Sequence, residues 1–283
     1  MSIHPHITLG PVKLRVQHLA RAKDFYVKAL GLSEIKQEDG ALLLGASGTP
    51  IVWLEEHADA RQLPPNSATG LYHFAILLPS RKELGFVLRN LIALGIDVGQ
   101  GDHLVSEAFY LSDPDGNGIE IYVDRPREAW TYDAAGNVNM ATNPVDWQSM
   151  VAEAGEDVWR GMPASTVMGH VHFHVKTLED GKRFYQEALG FDVMADWSRM
   201  KAMFLAAGGY HHHVGMNLWA GEGAAPVPHD AVGLDWWTLV YPDAAELTKA
   251  VGALRAKGYD VKQRDAYYVT DGSGITARLT ANE

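Results

Sequence analysis

The chain has 283 residues, long enough for two domains of ordinary size, and its 47% hydrophobic and 21% charged residues are the balance of a globular protein. A formal net charge of -11 argues against nucleic acid as a partner, because phosphate backbones demand a basic face. No run of about 18 apolar residues offers a membrane span. The lack of cysteine excludes disulfides, iron–sulfur clusters and thiol nucleophiles, leaving histidine and carboxylate as the strong metal ligands.

Residues 1–10 carry no basic-then-apolar signal pattern, so the expected compartment is the cytoplasm. Residues 12–16 (Val-Lys-Leu-Arg-Val) alternate and predict a strand. A helix follows within 22–32, where Phe25, Tyr26 and Leu30 fall at helical spacing and Gly31 supplies the stop. Short apolar runs at 41–44 and 50–54 complete a first unit as strands. Beyond the Pro-rich segment 62–69, residues 70–79 predict a strand and 81–94 a helix closed by Gly95. The run Asp-Pro-Asp-Gly-Asn-Gly at 113–118 then predicts a hairpin turn ahead of a last strand carrying Glu120.

Residues 127–167 read as a connector with a helix over 145–154, started by Asn143 and Pro144. The chain then repeats itself. After the alternating stretch 171–175, residues 181–191 align without a gap with 22–32, Phe-Tyr and Leu-Gly included. Strands are expected at 202–205 and 212–219, followed by a second Pro-containing segment at 221–228. Residues 233–242 line up with 70–79, a helix over 244–257 ends at Gly258, and 271–274 (Asp-Gly-Ser-Gly) reads as a shorter form of the earlier turn. Four units of similar shape therefore occupy about 10–56, 70–125, 168–220 and 232–280, grouped as domains 8–126 and 168–283.

Strand–helix–three-strand units in tandem, with Phe-Tyr and Leu-Gly recurring at matched places, resemble the vicinal oxygen chelate superfamily. Its members include glyoxalase I, fosfomycin-resistance proteins and extradiol catechol dioxygenases. The resemblance covers nearly the whole chain. It implies an α+β fold of four βαβββ units in two glyoxalase-like domains, with mixed sheets curled into cups. In this superfamily two units face each other; one gives a ligand from its first strand, the other a ligand from its first strand and a carboxylate from its last. The matching first-strand positions here are Pro11, His73, His170 and Trp236, and the last-strand positions are Glu120 and Thr276. Pairing neighbours in sequence completes neither set. Pairing the second unit with the third unites His73, Glu120 and His170, while the first with the fourth leaves Pro11, Trp236 and Thr276, which cannot hold a metal. One metal site per chain is the expectation. Two histidines and one carboxylate on one face of the ion leave positions open for substrate and dioxygen.

Thirteen histidines are many, and several cluster. His170, His172 and His174 alternate, so all three project from one strand face. His172 and His174 are read as hydrogen-bonding groups around the site, and His211 and His212 receive no assigned role. The segment from His103 to Tyr110, ahead of Glu120, resembles the stretch of extradiol dioxygenases in which a His and a Tyr contact the catechol. The resemblance also gives His213 as acid–base, with His103 and Tyr110 as substrate contacts. Among the family, the two-domain catechol 2,3-dioxygenases match this pattern most fully. They imply Fe(II), with Mn(II) as the second choice, and a small aromatic diol and dioxygen as partners. The repeat is compatible with a homo-oligomer and fixes no stoichiometry. Two other readings stand beside this one: a glyoxalase-like metal-dependent isomerase or thiol transferase, and a metal-free binding or resistance protein. The tryptophans Trp130, Trp197, Trp219, Trp236 and Trp237 read first as core packing.

Overall fold

The computed structural model describes residues 2–282. After a short β1 (Thr8–Leu9), the first unit runs β2 (Val12–Val16), α1 (Leu19–Lys28), β3 (Ser33–Glu38), β4 (Ala41–Ala46) and β5 (Thr49–Glu56). The second runs β6 (Gly70–Leu77), α2 (Arg81–Ala93), β7 (Gly99–Asp102), β8 (Ser106–Ser112) and β9 (Gly118–Asp124). The connector holds α3 (Trp147–Ala154). The third unit begins with β10 (Val167–His174) and α4 (Leu178–Gly181), which continues as π-helical turns over Lys182–Ala188. It ends with β11 (Asp192–Trp197), β12 (Ala202–Ala206) and β13 (Val214–Asn217). The fourth comprises β14 (Gly233–Tyr241), α5 (Ala244–Ala256), β15 (Lys262–Gln263), β16 (Tyr267–Thr270) and β17 (Thr276–Ala281).

Local chemistry sets these elements. Ser80 and Asp243 cap α2 and α5 by accepting from the backbone N–H of Glu83 and Glu246. Gly31 stops α1 at φ +67, where a Cβ would come within 2.6 Å of the Gly161 backbone. The repeated tyrosine of the Phe-Tyr pair has a specific task. Tyr26 donates its hydroxyl to Asp113 in the turn before β9 (2.9 Å), and Tyr185 donates to Asp271 before β17 (3.0 Å). Each aspartate also accepts backbone N–H groups two and four residues on, closing the same turn.

The strands form two mixed sheets, and each draws one unit from each half of the chain. One sheet runs β11-β12-β13-β10-β6-β9-β8-β7, uniting the third and second units; the other runs β15-β16-β17-β14-β2-β5-β4-β3, with β1 on β14, uniting the fourth and first. The seams are the antiparallel pairs β6–β10 and β2–β14. One apolar core, with Phe74, Phe173, Tyr185 and Trp237 fully buried, joins both sheets. The halves 8–126 and 168–283 are thus repeats in sequence, whereas the sheets cross between them.

Register corrects one equivalence. Ala75 on β6 lies opposite Glu120 on β9, and Thr238, the match of Ala75, lies opposite Arg278 on β17. The counterpart of Glu120 is Arg278, not Thr276. The turn at Asp271 reads as shorter because it has no proline and its last glycine is Gly274, but its hydrogen bonds span the same number of residues as those at Asp113.

Candidate metal centre

Strand register brings the three expected ligands together. Ala75 in mid-β6 faces Glu120 on one neighbouring strand and His170 on the other, and His73 is two residues back on the same face. The small Ala75 side chain leaves room between them. One ligand atom from each of His73, Glu120 and His170 lies within 4.8 Å of the others, and all three residues are buried. Both histidine Nε2 atoms are 3.0 Å from Glu120 Oε2.

The donor set fits a divalent cation. His73 Nε2 is 3.0 Å from Glu120 Oε2 but not aligned to hydrogen-bond it, and it is buried with no other partner, a state that a bound ion would relieve. Burial alone would push the Glu120 carboxyl up, but His170 and His73 outweigh it and hold that carboxyl well below its usual range. Burial lowers the His170 imidazole, against the pull of Glu120, and so favours the neutral form that binds metal.

Beside the cluster lies a cavity of about 360 Å³ whose lining includes Tyr110, His103, His212, Trp197, Phe204 and Trp219. His103 Nδ1 sits 2.7 Å from the Ala141 carbonyl, so that nitrogen donates; Nε2 is left to accept from the Tyr110 hydroxyl at 2.6 Å. His103 is therefore the group that orients Tyr110, its one N–H already engaged. Burial first, then the Glu120 charge, push the Tyr110 phenol far up, so it stays protonated.

His213 does not reach this cavity. Its Nδ1 accepts from the Ala207 backbone N–H at 3.2 Å, and its ring packs on Tyr210 and Phe191. Burial lowers it to about 3. The expected strand begins only at Val214, so strict alternation does not govern residues 211–213, and His212 faces the site instead. Its ring centroid is 4.0 Å from that of His170, and burial, then the neighbouring His170, holds it well below the usual imidazole range. His172 and His174 also lie on the cup face. Asn217 Nδ2 donates to His172 Nε2 (3.0 Å), Asn217 Oδ1 meets His174 Nδ1 (2.6 Å), and Asn66 Oδ1 meets His174 Nε2 (2.9 Å). Asn66 comes from the Pro-rich segment between the first two units.

Other groups escaped the sequence reading. Asp124 Oδ1 lies 2.8 Å from His211 Nε2, and His211 Nδ1 lies 2.7 Å from His212 Nδ1. Glu120, Tyr122 and Asp124 alternate along β9, so the signal was present as period two. Its meaning depended on where residues 211–213 fold. Trp197 and Trp219 line the cavity, whereas Trp237 is core and Trp236 belongs to the other sheet.

The profile of the Glyoxalase/Bleomycin resistance protein/Dioxygenase superfamily matches residues 6–121 and 167–277. A catechol-2,3-dioxygenase of Bacillus subtilis (strain 168) is 46% identical over 265 residues, 93% of either chain. Among solved structures, a putative dioxygenase from Bacillus subtilis superposes with a TM-score of 0.70 at 16% identity, over 99% of this chain and 86% of that one. Glyoxalase I from Zea mays gives 0.57 at 15% identity, over 97% and 92%. These two solved structures share the fold. With the profile covering both halves and a relative of such identity along nearly the full length, the chain belongs to the glyoxalase/bleomycin resistance/dioxygenase superfamily.

Proposed function

We propose that this protein is an extradiol ring-cleavage dioxygenase that uses non-haem Fe(II) to open a catechol-type diol with dioxygen. The observation that carries the reading is the buried His73–Glu120–His170 cluster opening onto an aromatic-lined cavity that also holds Tyr110 and His212. The 46% identity to a catechol-2,3-dioxygenase along 93% of the chain supports it. An Fe(II) held by the three side chains would supply positions for both diol oxygens and for dioxygen.

The chain's own residues do the rest. Trp197, Phe204 and Trp219 flank the space for the ring and keep water from it. His212, in place of His213, takes a proton from one diol hydroxyl and returns it as the ring opens. Tyr110, kept as a phenol and oriented by His103, hydrogen-bonds the reacting oxygens. Both atoms of dioxygen enter the product, and the ring bond beside the diol breaks, giving a semialdehyde from a simple catechol. Mn(II) suits the same ligands. The isomerase reading expects further carboxylate ligation, and among the described residues no second carboxylate joins His73, Glu120 and His170.

Anaerobic loading with Fe(II), followed by oxygen consumption and absorbance measurements on a panel of diols, tests the proposal. One oxygen consumed per diol with a yellow product is expected. No uptake with any diol overturns it.

A further inference from the structure

We propose that Asp124 and His211 are positioning residues that fix His212 in one tautomer, with the proton on Nδ1 and the Nε2 lone pair facing the cavity. The inference rests on the reading of His212 as acid–base.

The direction of the hydrogen-bond chain carries it. Asp124 Oδ1, 2.8 Å from His211 Nε2, is a carboxylate oxygen that accepts, so His211 Nε2 must donate. In a neutral His211 the one ring proton is spent there, so its Nδ1 is an acceptor. The neighbour at 2.7 Å is His212 Nδ1, which must then be the donor. A neutral His212 carries no second proton, so Nε2 presents a lone pair. The partner of one ring nitrogen thereby decides the chemistry of the other.

The chain is anchored at its far end. Tyr210 donates to the second oxygen of Asp124 at 2.9 Å, and the Tyr210 and Tyr122 hydroxyls are 2.7 Å apart. His211 is fully buried, its ring packed among Tyr122, Trp130 and Tyr210, so it cannot turn over without breaking both bonds. Asp124 is one-quarter exposed and opens onto a separate groove lined by Arg81, Asp102 and Arg125, away from the cavity that His212 lines. The arrangement has the logic of a carboxylate holding a catalytic imidazole, with one more ring between them.

The test compares Asp124→Asn, His211→Leu, His211→Gln and His212→Gln in the Fe(II)-loaded enzyme, with iron content and KM measured beside kcat. Asp124→Asn lets the chain run either way, and His211→Leu breaks it; both should lower kcat by about tenfold or more at wild-type iron content and KM. His211→Gln, whose carboxamide keeps one donor and one acceptor, should recover much of the turnover lost in His211→Leu, which mere packing would not explain. Independently of turnover, ¹⁵N NMR of ring nitrogens in the Zn-loaded protein should show His212 protonated at Nδ1, shifting toward a mixture in Asp124→Asn. If His212→Gln abolishes turnover while Asp124→Asn and His211→Leu run at the wild-type kcat, or if His212 carries its proton on Nε2, the positioning role is overturned. Wild-type turnover in His212→Gln would instead remove the acid–base reading on which the role depends.

Discussion

The two sheets are built from the same units paired in the same way, yet among the described residues only one of them gathers side chains that could hold a metal. At the β6–β10 seam stand His73, His170 and, on β9, Glu120. At the β2–β14 seam the matching positions carry Trp236, Pro11 and, on β17, Arg278. The guanidinium of Arg278 lies 5.3 Å over the Trp236 ring and 3.1 Å from Asp265, and its Nε approaches the hydroxyl of Tyr268, the counterpart of Tyr110. Lys13 and Arg15, at the places of His172 and His174, pair with Glu55 and Asp235. A permanent cation stands where the anionic ligand would be, so a divalent ion is repelled and the cup fills with ion pairs. Scaffold and site are separable: the fold fixes where six positions meet, and side-chain identity decides what they do.

Removing a ligand should break the contrast most. Glu120→Ala or His170→Ala is expected to lose bound metal, measured by elemental analysis after loading, and to bring oxygen consumption to background. Leaving two buried histidines without their carboxylate removes the charge that draws the cation in. Full metal occupancy in either variant would show that the cluster is not the site.

How far this was legible from sequence differs between the levels. The pairing of second with third units could be read because His73, Glu120 and His170 complete a candidate ligand set in one arrangement only. The register that places Arg278 opposite Thr238 could not, since residues 113–118 and 271–274 look unequal in composition, while the hydrogen bonds from Asp113 and Asp271 to the backbone are the same. Residues 211–213 misled for a local reason. Three consecutive histidines invite alternation, but the β13 ladder begins at Val214, which turns His213 toward Tyr210 and leaves His212 on the cavity. The Asn66–His174 contact, across 108 residues, had no sequence signal of its own.

The two turns that anchor the sheets offer a pH test of their likeness. Asp113 and Asp271 accept the same backbone and tyrosine donors, but Asp113 also accepts from Asn117 Nδ2 at 2.9 Å, whereas Ile275 stands at that place after Asp271. Burial raises both carboxyls, Asp271 to about 6. A folded-state value above the unfolded one means that the native state holds the proton longer. The cost is then absent below the unfolded value of about 3.9 and accrues until pH passes the folded value. Wild type should therefore lose stability relative to Asp271→Asn between about pH 4 and 6, by at most about 3 kcal/mol, with a constant difference above that window. Thermal melts across the range read it. A difference between wild type and Asp271→Asn that does not change with pH would show that the buried carboxyl titrates as it does in the unfolded chain.

The smallest expected effect asks whether the metal-free cup matters to stability alone. Arg278→Ala removes a cation–π contact to Trp236, an ion pair with the 64% exposed Asp265 and a long hydrogen bond to Tyr268. The ion pair is largely screened and counts for little. The stacked guanidinium counts for more, because Trp236 is buried beneath it. A loss of about 1 kcal/mol in denaturant unfolding is expected. Metal content and oxygen consumption should stay at wild-type levels, since the partners of Arg278, namely Tyr268, Asp265 and Trp236, all belong to the fourth unit. A fall in metal occupancy would mean that the two sheets communicate through their shared core, and that the cup without a metal is not merely a packed relic of the repeat.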